Sequence, residues 1–282
     1  TLQLLRFHFS FFLMPVYWFA LSQVPEINWR DAVLVFIILH LLVYPASNGY
    51  NSFMDRDTSP IGGLKNPMQP TKQLFSITII MNLTAIGLGF LITPFFAVGI
   101  FFYILASTAY SYRKIRLKKF PVIGYLTVII FQGAVTFFLV YHGSEMQHTT
   151  HVPAIAMIAA SLLIGGFYPL TQIYQHKEDY QDGVITISYL LGYKGTFVFT
   201  GIVYAFAFIM LGWLFYLNVE MMHFFILQIF MLPVIVFFAL WFTKVIKNKN
   251  EANFKNTMRM NVLASVCTNL GFITLLILEA IE

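Results

Sequence analysis

Nine apolar stretches, each close to the length of one bilayer crossing, follow one another along this chain. A spanning helix needs about 20 mostly apolar residues, because hydrocarbon offers the backbone no outside hydrogen-bond partner. The stretches lie at roughly 7–25, 30–50, 72–92, 95–112, 120–142, 152–172, 196–217, 222–245 and 259–279. Composition agrees: 59% of residues are hydrophobic and 10% charged, against roughly 25% charged in soluble domains. A disordered chain is ruled out, and so is an ordinary soluble domain. The first stretch follows Arg6, contains Trp18 and meets no small-residue cleavage site, so it reads as a retained helix. Only Thr93 and Pro94 separate the third and fourth stretches, which predicts a tight hairpin. Cys267 is the single cysteine, which excludes an internal disulfide and a cysteine–zinc site.

The charges sort by side. With the N-terminus and the loops after spans 2, 4, 6 and 8 on one face, that face holds every Lys and Arg except Arg30. The positive-inside rule makes that face cytoplasmic and accounts for the net charge of +5 without a nucleic-acid partner. Asp55, Asp57, Glu178, Asp179, Asp182 and Glu251 share the cytoplasmic face, and no Asp or Glu falls in the middle of a span. An ion-coupled transporter usually carries ionisable groups within its helices, so this distribution argues against one. The chain reads as a multi-pass protein of the bacterial inner-membrane kind, with one domain over residues 1–282.

Two acidic loops, 48–70 and 174–196, form a pseudo-repeat. Asn51 and Asp55 are four residues apart, as are Gln175 and Asp179, so each pair projects from one face of a helix. Pro60, Gly62, Gly63 and Pro67 shape the first loop, and Gly183 and Gly192 punctuate the second. Two facing, oxygen-rich turns suit a hard cation such as Mg²⁺, which binds through a few carboxylates plus substrate phosphates. Such an ion neutralises a diphosphate leaving group. Loss of diphosphate from an allylic carbon leaves a carbocation that needs an apolar, aromatic-lined chamber. The 31 Phe and 15 Tyr could supply it, although most aromatics in membrane helices serve packing and lipid contact. Likewise, Asn and Asp four apart also occur as plain helix-end caps.

These residues resemble the UbiA superfamily of intramembrane prenyltransferases. Residues 51–59, N-S-F-M-D-R-D-T-S, place Asn51 and Asp55 on the first two anchor positions of the family's N-D-x-x-D-x-x-x-D motif. Residues 175–186, Q-H-K-E-D-Y-Q-D-G-V-I-T, place Gln175 and Asp179 on the anchors of the second motif, followed by Gly183 and Thr186. The stretch Y-S-Y-R-K-I-R-L-K-K at 110–119 is similar to the family's Y-S-x-x-x-R-L-K segment after the fourth helix. The opening L-L-R-F-H and Asn48 fit as well. The resemblance covers essentially the whole chain. It implies an all-α fold of nine transmembrane helices around a central cavity, an isoprenyl diphosphate substrate, Mg²⁺ as cofactor, and an aromatic or lipid acceptor.

The resemblance also implies roles. Asp55, Asp179 and Asn51 become the catalytic, metal-holding residues, with Gln175 completing the metal set. Lys118, Lys114, Arg116, Tyr110, Lys65 and Lys177 become candidate diphosphate contacts. Positive-inside loops touching lipid headgroups explain the same cations more plainly. Ser52, Ser59 and Gln175 stand where the family has Asp, and Asn66 stands before Pro67 where the family has Arg. The site should therefore carry fewer negative charges and hold one dominant metal, with Asp57, Glu178 and Asp182 close enough to compensate. His8 and His40 read as packed residues, and His176 as exposed loop. His142, His148 and His151 read as a solvated outer loop.

Three outcomes follow for the reaction. In prenyl transfer an electron-rich acceptor captures the cation. In a terpene cyclase of the same superfamily the chain's own double bond does so. A non-catalytic lipid-binding membrane protein is the third reading.

Overall fold

The computed structural model describes residues 2–281. Among them eight helices are long and apolar enough to cross a membrane, and a bent pair supplies a ninth span. We name the spans α1 (Leu2–Phe12 and Met14–Leu21), α2 (Trp29–Asp55), α3 (Lys72–Gly89), α4 (Pro94–Ser111), α5 (Pro121–Ser144), α6 (Ala154–Gln172), α7 (Ile187–Leu217), α8 (Met221–Lys247) and α9 (Phe254–Glu279). A short helix, His176–Gln181, lies between α6 and α7. The nine expected spans are all present. The clearest shift is at α7, which begins at Ile187 rather than near 196. Gly192 kinks it with φ 67°, a left-handed value open to glycine.

Each span packs on the next, and α9 returns to α1, which closes a ring. The face with the acidic loops stays open. The opposite face is plugged. There Met14–Leu21 of α1 crosses to the end of α5, and Phe19 meets Phe137 at 5.0 Å and Phe272 at 4.7 Å. All three rings are fully buried. Lipid tails give helices no hydrophobic reason to associate, so close packing must hold such a ring together. Gly133 shows this. A Cβ there would stand 2.7 Å from the Ser161 nitrogen, so only glycine lets α5 lie this close to α6. The Ser161 hydroxyl accepts from the Ala134 backbone at 3.0 Å across the same contact.

Besides the kinked α7, three spans depart from regular α-helix. In α2 and α5 the backbone widens to π-helix over Ile37–Val43 and Ile129–Val135. Pro45 lies two residues past the end of the first widening, and the wider turn spares the clash its ring would make with the preceding turn. The second brings Phe131 and Gln132 to the ring's interior. The first span breaks by 43° after a 3₁₀ stretch, Phe7–Phe12. Its freed backbone is met from outside: Asn269 of α9 donates to the Phe11 carbonyl at 3.3 Å.

The histidine readings need correction. His176 is buried, not exposed. Its ring bonds the Ser188 hydroxyl at 2.8 Å and stacks on Tyr193 at 4.8 Å, and burial lowers its pKa to about 4. His142 is buried too, held by the Thr93 hydroxyl and the Thr149 carbonyl, each at 3.0 Å. His148 bonds the His142 carbonyl at 3.1 Å and sits 3.5 Å from Asp31. The loop read as solvated is therefore stapled to α2, α4 and α5. Of its three histidines only His151 is exposed. The small hydroxyl and carbonyl partners carry no sequence signal of their own, so only the packed loop reveals the network.

Candidate active site

The last turn of α2 carries Asn51 and Asp55 on one face, as their spacing predicted. The helix stops at Arg56, whose left-handed φ of 57° turns the chain out. Arg113, just past α4, donates to the final carbonyls, Met54 at 2.6 Å and Asp55 at 3.2 Å. A cation on the negative end of a helix is favourable, so Arg113 holds this terminus in place. Sequence reasoning gave Arg113 no role, because nothing in the chain pattern sets it apart from Lys114. The Asn51 amide nitrogen donates to the Ser111 hydroxyl at 2.9 Å, which leaves its carbonyl oxygen as an acceptor.

The second loop meets the first across the mouth of the ring. Gln175 donates its side-chain amide to the Pro60 carbonyl at 3.2 Å, pinning loop to loop. Arg116 joins them again. Its guanidinium lies 3.3 Å from Asp55, pairs with Asp182, and donates to the Asp182 carbonyl at 3.1 Å. Lys118 pairs with the other oxygen of Asp55. The Asp55 side chain is 5% exposed, so both cations act where water screens them little.

Between the loops, reaching into the ring, lies a cavity of about 220 Å³. Asn51, Asp55, Gln175 and Asp179 all line it, and so do Lys118 and Tyr110. Asp57, Ser59, Glu178 and Asp182 line it as well. Three of these are the acids expected to compensate for the missing motif carboxylates. Ser52 does not line it and is buried in the helix packing, so a carboxylate there would not face the chamber. Lys65, Lys114 and Lys177 are exposed and line no part of the wall. Lys65 lies out on the first loop. Lys114 precedes the left-handed turn at Arg116, φ 49°, that redirects the chain toward the cavity. Lys177 lies beside the buried His176 and points out of the packing. The structure therefore puts Lys118 on the cavity wall, holds Arg116 behind it on Asp55 and Asp182, and leaves the other three lysines outside.

Burial has a measurable electrostatic effect here. The Asp179 carboxyl is pushed up to about 7, chiefly by burial. Lys118 opposes the rise, while Asp57, Asp55 and Glu178 reinforce it. Asp57 shifts upward for the same leading reason. Deeper in, the walls are aromatic: Phe9, Tyr103, Tyr110, Phe131, Tyr168 and Tyr174. The Tyr110 and Tyr168 hydroxyls touch. Most of the aromatic excess lies elsewhere, in packing between helices or toward lipid.

Arg6 is the wall residue least expected from its place at the start of the chain. It donates to the Gly62 carbonyl at 3.2 Å and the Asn48 carbonyl at 3.3 Å, and its Nε is buried without a partner. Gln172 Oε1, Tyr174 OH and Asn48 Nδ2 are likewise buried and unpaired around the same wall. A buried polar atom without a partner is costly. Together with the carboxylates and amide oxygens, these donors and acceptors fit a hard cation and an anionic ligand.

The comparisons with known proteins agree with this geometry. Residues 11–263 match the UbiA prenyltransferase family. No curated protein matches the sequence. The fold is similar to a UbiA homolog from Archaeoglobus fulgidus bound to GPP and Mg²⁺, with TM-score 0.71, 17% identity and 98% of each chain covered. It is also similar to an apo UbiA homolog from Aeropyrum pernix, with TM-score 0.67, 19% identity, and 95% of this chain and 97% of that one covered. A structure described for digeranylgeranylglyceryl phosphate synthase aligns with TM-score 0.63 at 17% identity, over 98% of this chain and 97% of the other. The closed ring, the paired acidic loops and a family match over most of the chain lead to one conclusion: this protein belongs to the UbiA prenyltransferase family.

Proposed function

We propose that this protein transfers an isoprenyl group from an isoprenyl diphosphate to an acceptor within the membrane, with Mg²⁺ as cofactor. The observation that carries this reading is the convergence of Asp55, Asp179 and Lys118 on the wall of one aromatic-walled chamber, with Arg116 paired to Asp55 behind it. Asn51, Asp55, Gln175 and Asp179 are the residues that would hold Mg²⁺, which supplies charge neutralisation for the departing diphosphate. Relatives of this fold were solved with GPP or DMAPP and Mg²⁺, which supports the same ligand classes here.

The chain's own residues do the rest. Lys118 and Arg116 are already cations at the mouth, and both can pass from Asp55 to the phosphate oxygens as those arrive. Arg6, with a free Nε on the wall, adds a third positive charge. The tyrosine and phenylalanine faces below shelter positive charge on an allylic carbon and exclude water. Ser47 and Ser107 line the inner wall and bond each other there, so the polar wall is satisfied with or without an acceptor, and the requirement for an acceptor is what separates transfer from cyclisation. The acidic loops are read as cytoplasmic from the distribution of cations.

The test is direct. Purified protein is incubated with Mg²⁺ and dimethylallyl, geranyl, farnesyl or geranylgeranyl diphosphate, with and without aromatic acceptors, and diphosphate release is followed. Acceptor-dependent release is expected. Release with a hydrocarbon product and no acceptor would move the assignment to a cyclase. No release with any chain length, and no effect of Asp55→Ala on diphosphate binding, would leave a lipid-binding protein.

A further inference from the structure

The chamber stops well short of the opposite face. Its deepest lining residues are Ser47 on α2, Tyr103 on α4, Gln132 on α5 and Tyr168 on α6. One turn further in stand Tyr44, Ile100 and Thr136, which are buried and line no part of it. Tyr103 lies between the two layers. Its ring meets Phe131 of the chamber wall edge-on at 6.1 Å and Tyr44 of the layer beneath at 6.0 Å, and it is 2% exposed. We infer that, on the isoprenyl diphosphate reading proposed above, the Tyr103 ring is the floor of the chamber and limits the substrate to a chain of one or two isoprene units.

Depth sets the length. At about 1.5 Å per residue, α2 rises about 12 Å from Asp55 to Ser47, and α4 rises about as far from Ser111 to Tyr103. A diphosphate held at Asp55 and Asn51 takes up the first turn of that depth. Carbon–carbon bonds of about 1.5 Å make an extended isoprene unit about 5 Å long. The space below the diphosphate therefore holds a dimethylallyl or a geranyl chain, and the third unit of a farnesyl chain would run into Tyr103.

The layer beneath gives the floor no room to sink. Ile100 and Thr136 are fully buried, and closely packed interiors do not yield the width of a ring. The layer is also polar. The Tyr44 and Thr136 hydroxyls bond each other at 3.4 Å, and the His40 ring stands edge-on to Tyr44 at 5.0 Å. Hydrocarbon forced between these groups would part the hydroxyls and leave them unpaired. Truncating Tyr103 is a different matter. It removes a phenol ring, which is close in size to one isoprene unit, without disturbing the layer below.

The test uses the full chain in detergent with Mg²⁺. Non-hydrolysable thiolodiphosphate analogues of dimethylallyl, geranyl, farnesyl and geranylgeranyl diphosphate are titrated by calorimetry into wild type, Tyr103→Phe, Tyr103→Leu and Tyr103→Ala. In wild type, affinity should peak at the geranyl analogue and fall at least about tenfold at the farnesyl one. Tyr103→Ala should move the peak to the farnesyl analogue. Tyr103→Leu, a milder truncation, should shift the preference the same way even where the alanine variant does not fold. Tyr103→Phe should keep the wild-type profile, because the ring and not the hydroxyl is the stop. A farnesyl or geranylgeranyl analogue that binds wild type as tightly as the geranyl one would overturn the floor and leave the isoprenyl diphosphate reading standing. So would a profile unmoved by both truncations. Failure of all four analogues to bind wild type would overturn the isoprenyl diphosphate reading itself, and the floor with it.

Discussion

Arg116 places its guanidinium 3.3 Å from Asp55 and in contact with Asp182, so one side chain from the α4–α5 connection ties the two acidic loops together. The Arg116 and Asp55 side chains are 10% and 5% exposed. Removing one partner of a buried pair leaves the other charge unpaired, at a cost of about 3–5 kcal/mol. Lys118 remains on Asp55, and Asp182 is partly exposed, so the low end applies. We expect Arg116→Ala to lose about 3 kcal/mol, read as a lower unfolding temperature in detergent, and to bind diphosphate at least about tenfold more weakly. Arg116→Lys should recover little, because an ammonium cannot span both carboxylates.

The cations that line the cavity should behave unlike those that do not. Lys118→Ala should cut kcat/KM for an isoprenyl diphosphate by about 100-fold, and Asp55→Asn by more. Lys65→Ala, Lys114→Ala and Lys177→Ala should each change it less than about threefold, since exposed charges are screened. A steady-state assay of diphosphate release across the five variants checks the division. Equal losses at Lys114 and Lys118 would refute the assigned geometry.

Mg²⁺ affinity should rise with pH up to about 7. The Asp179 carboxyl carries its proton up to that value, mainly because it is buried, and a metal must displace the proton. Below pH 7 the affinity should fall, approaching about tenfold per unit, and above it the curve should flatten. The stability effect has the opposite direction. A carboxyl raised from 3.8 favours the metal-free fold below 3.8, and that contribution is lost as pH rises through about 7. Calorimetric Mg²⁺ titrations between pH 5.5 and 8, with Asp179→Asn as the comparison, test both the position and the owner of the step.

Gly133→Val should separate α5 from α6. The new Cβ would meet the Ser161 backbone, which cannot yield as a flexible side-chain end can. Overpacking of this kind costs about 1–3 kcal/mol. The unfolding temperature should drop. Gly87→Val, where nothing stands in the way of a Cβ, should leave it nearly unchanged.

The spans and the pairing of Asn51 with Asp55 were legible in the sequence because both depend on periodicity and length, which the chain carries openly. What distinguishes Lys118 from Lys114 is a single left-handed residue, Arg116, and a non-glycine residue gives no warning of that conformation. Arg113 could be recognised only once the end of α2 lay beside it. Widening in α2 and α5 is equally hidden, although the Pro45 that follows the first one is a clue in hindsight. His142 and His148 misled because a histidine-rich loop looks the same whether it is stapled or solvated. Of the partners that decide the matter, Thr93 and Asp31 come from elsewhere in the chain and Thr149 from within the loop itself.

The packed rings of Phe19, Phe137 and Phe272 close the helix ring on the face away from the chamber's mouth. On the proposed reaction, diphosphate released at the chamber's mouth would leave by the face through which the next charged substrate arrives. Turnover would then depend on how fast the cations there let go, and tighter binding by Arg116 and Lys118 would carry its own penalty. Spent diphosphate should therefore compete directly with fresh isoprenyl diphosphate. A protein with a second exit could escape that limit.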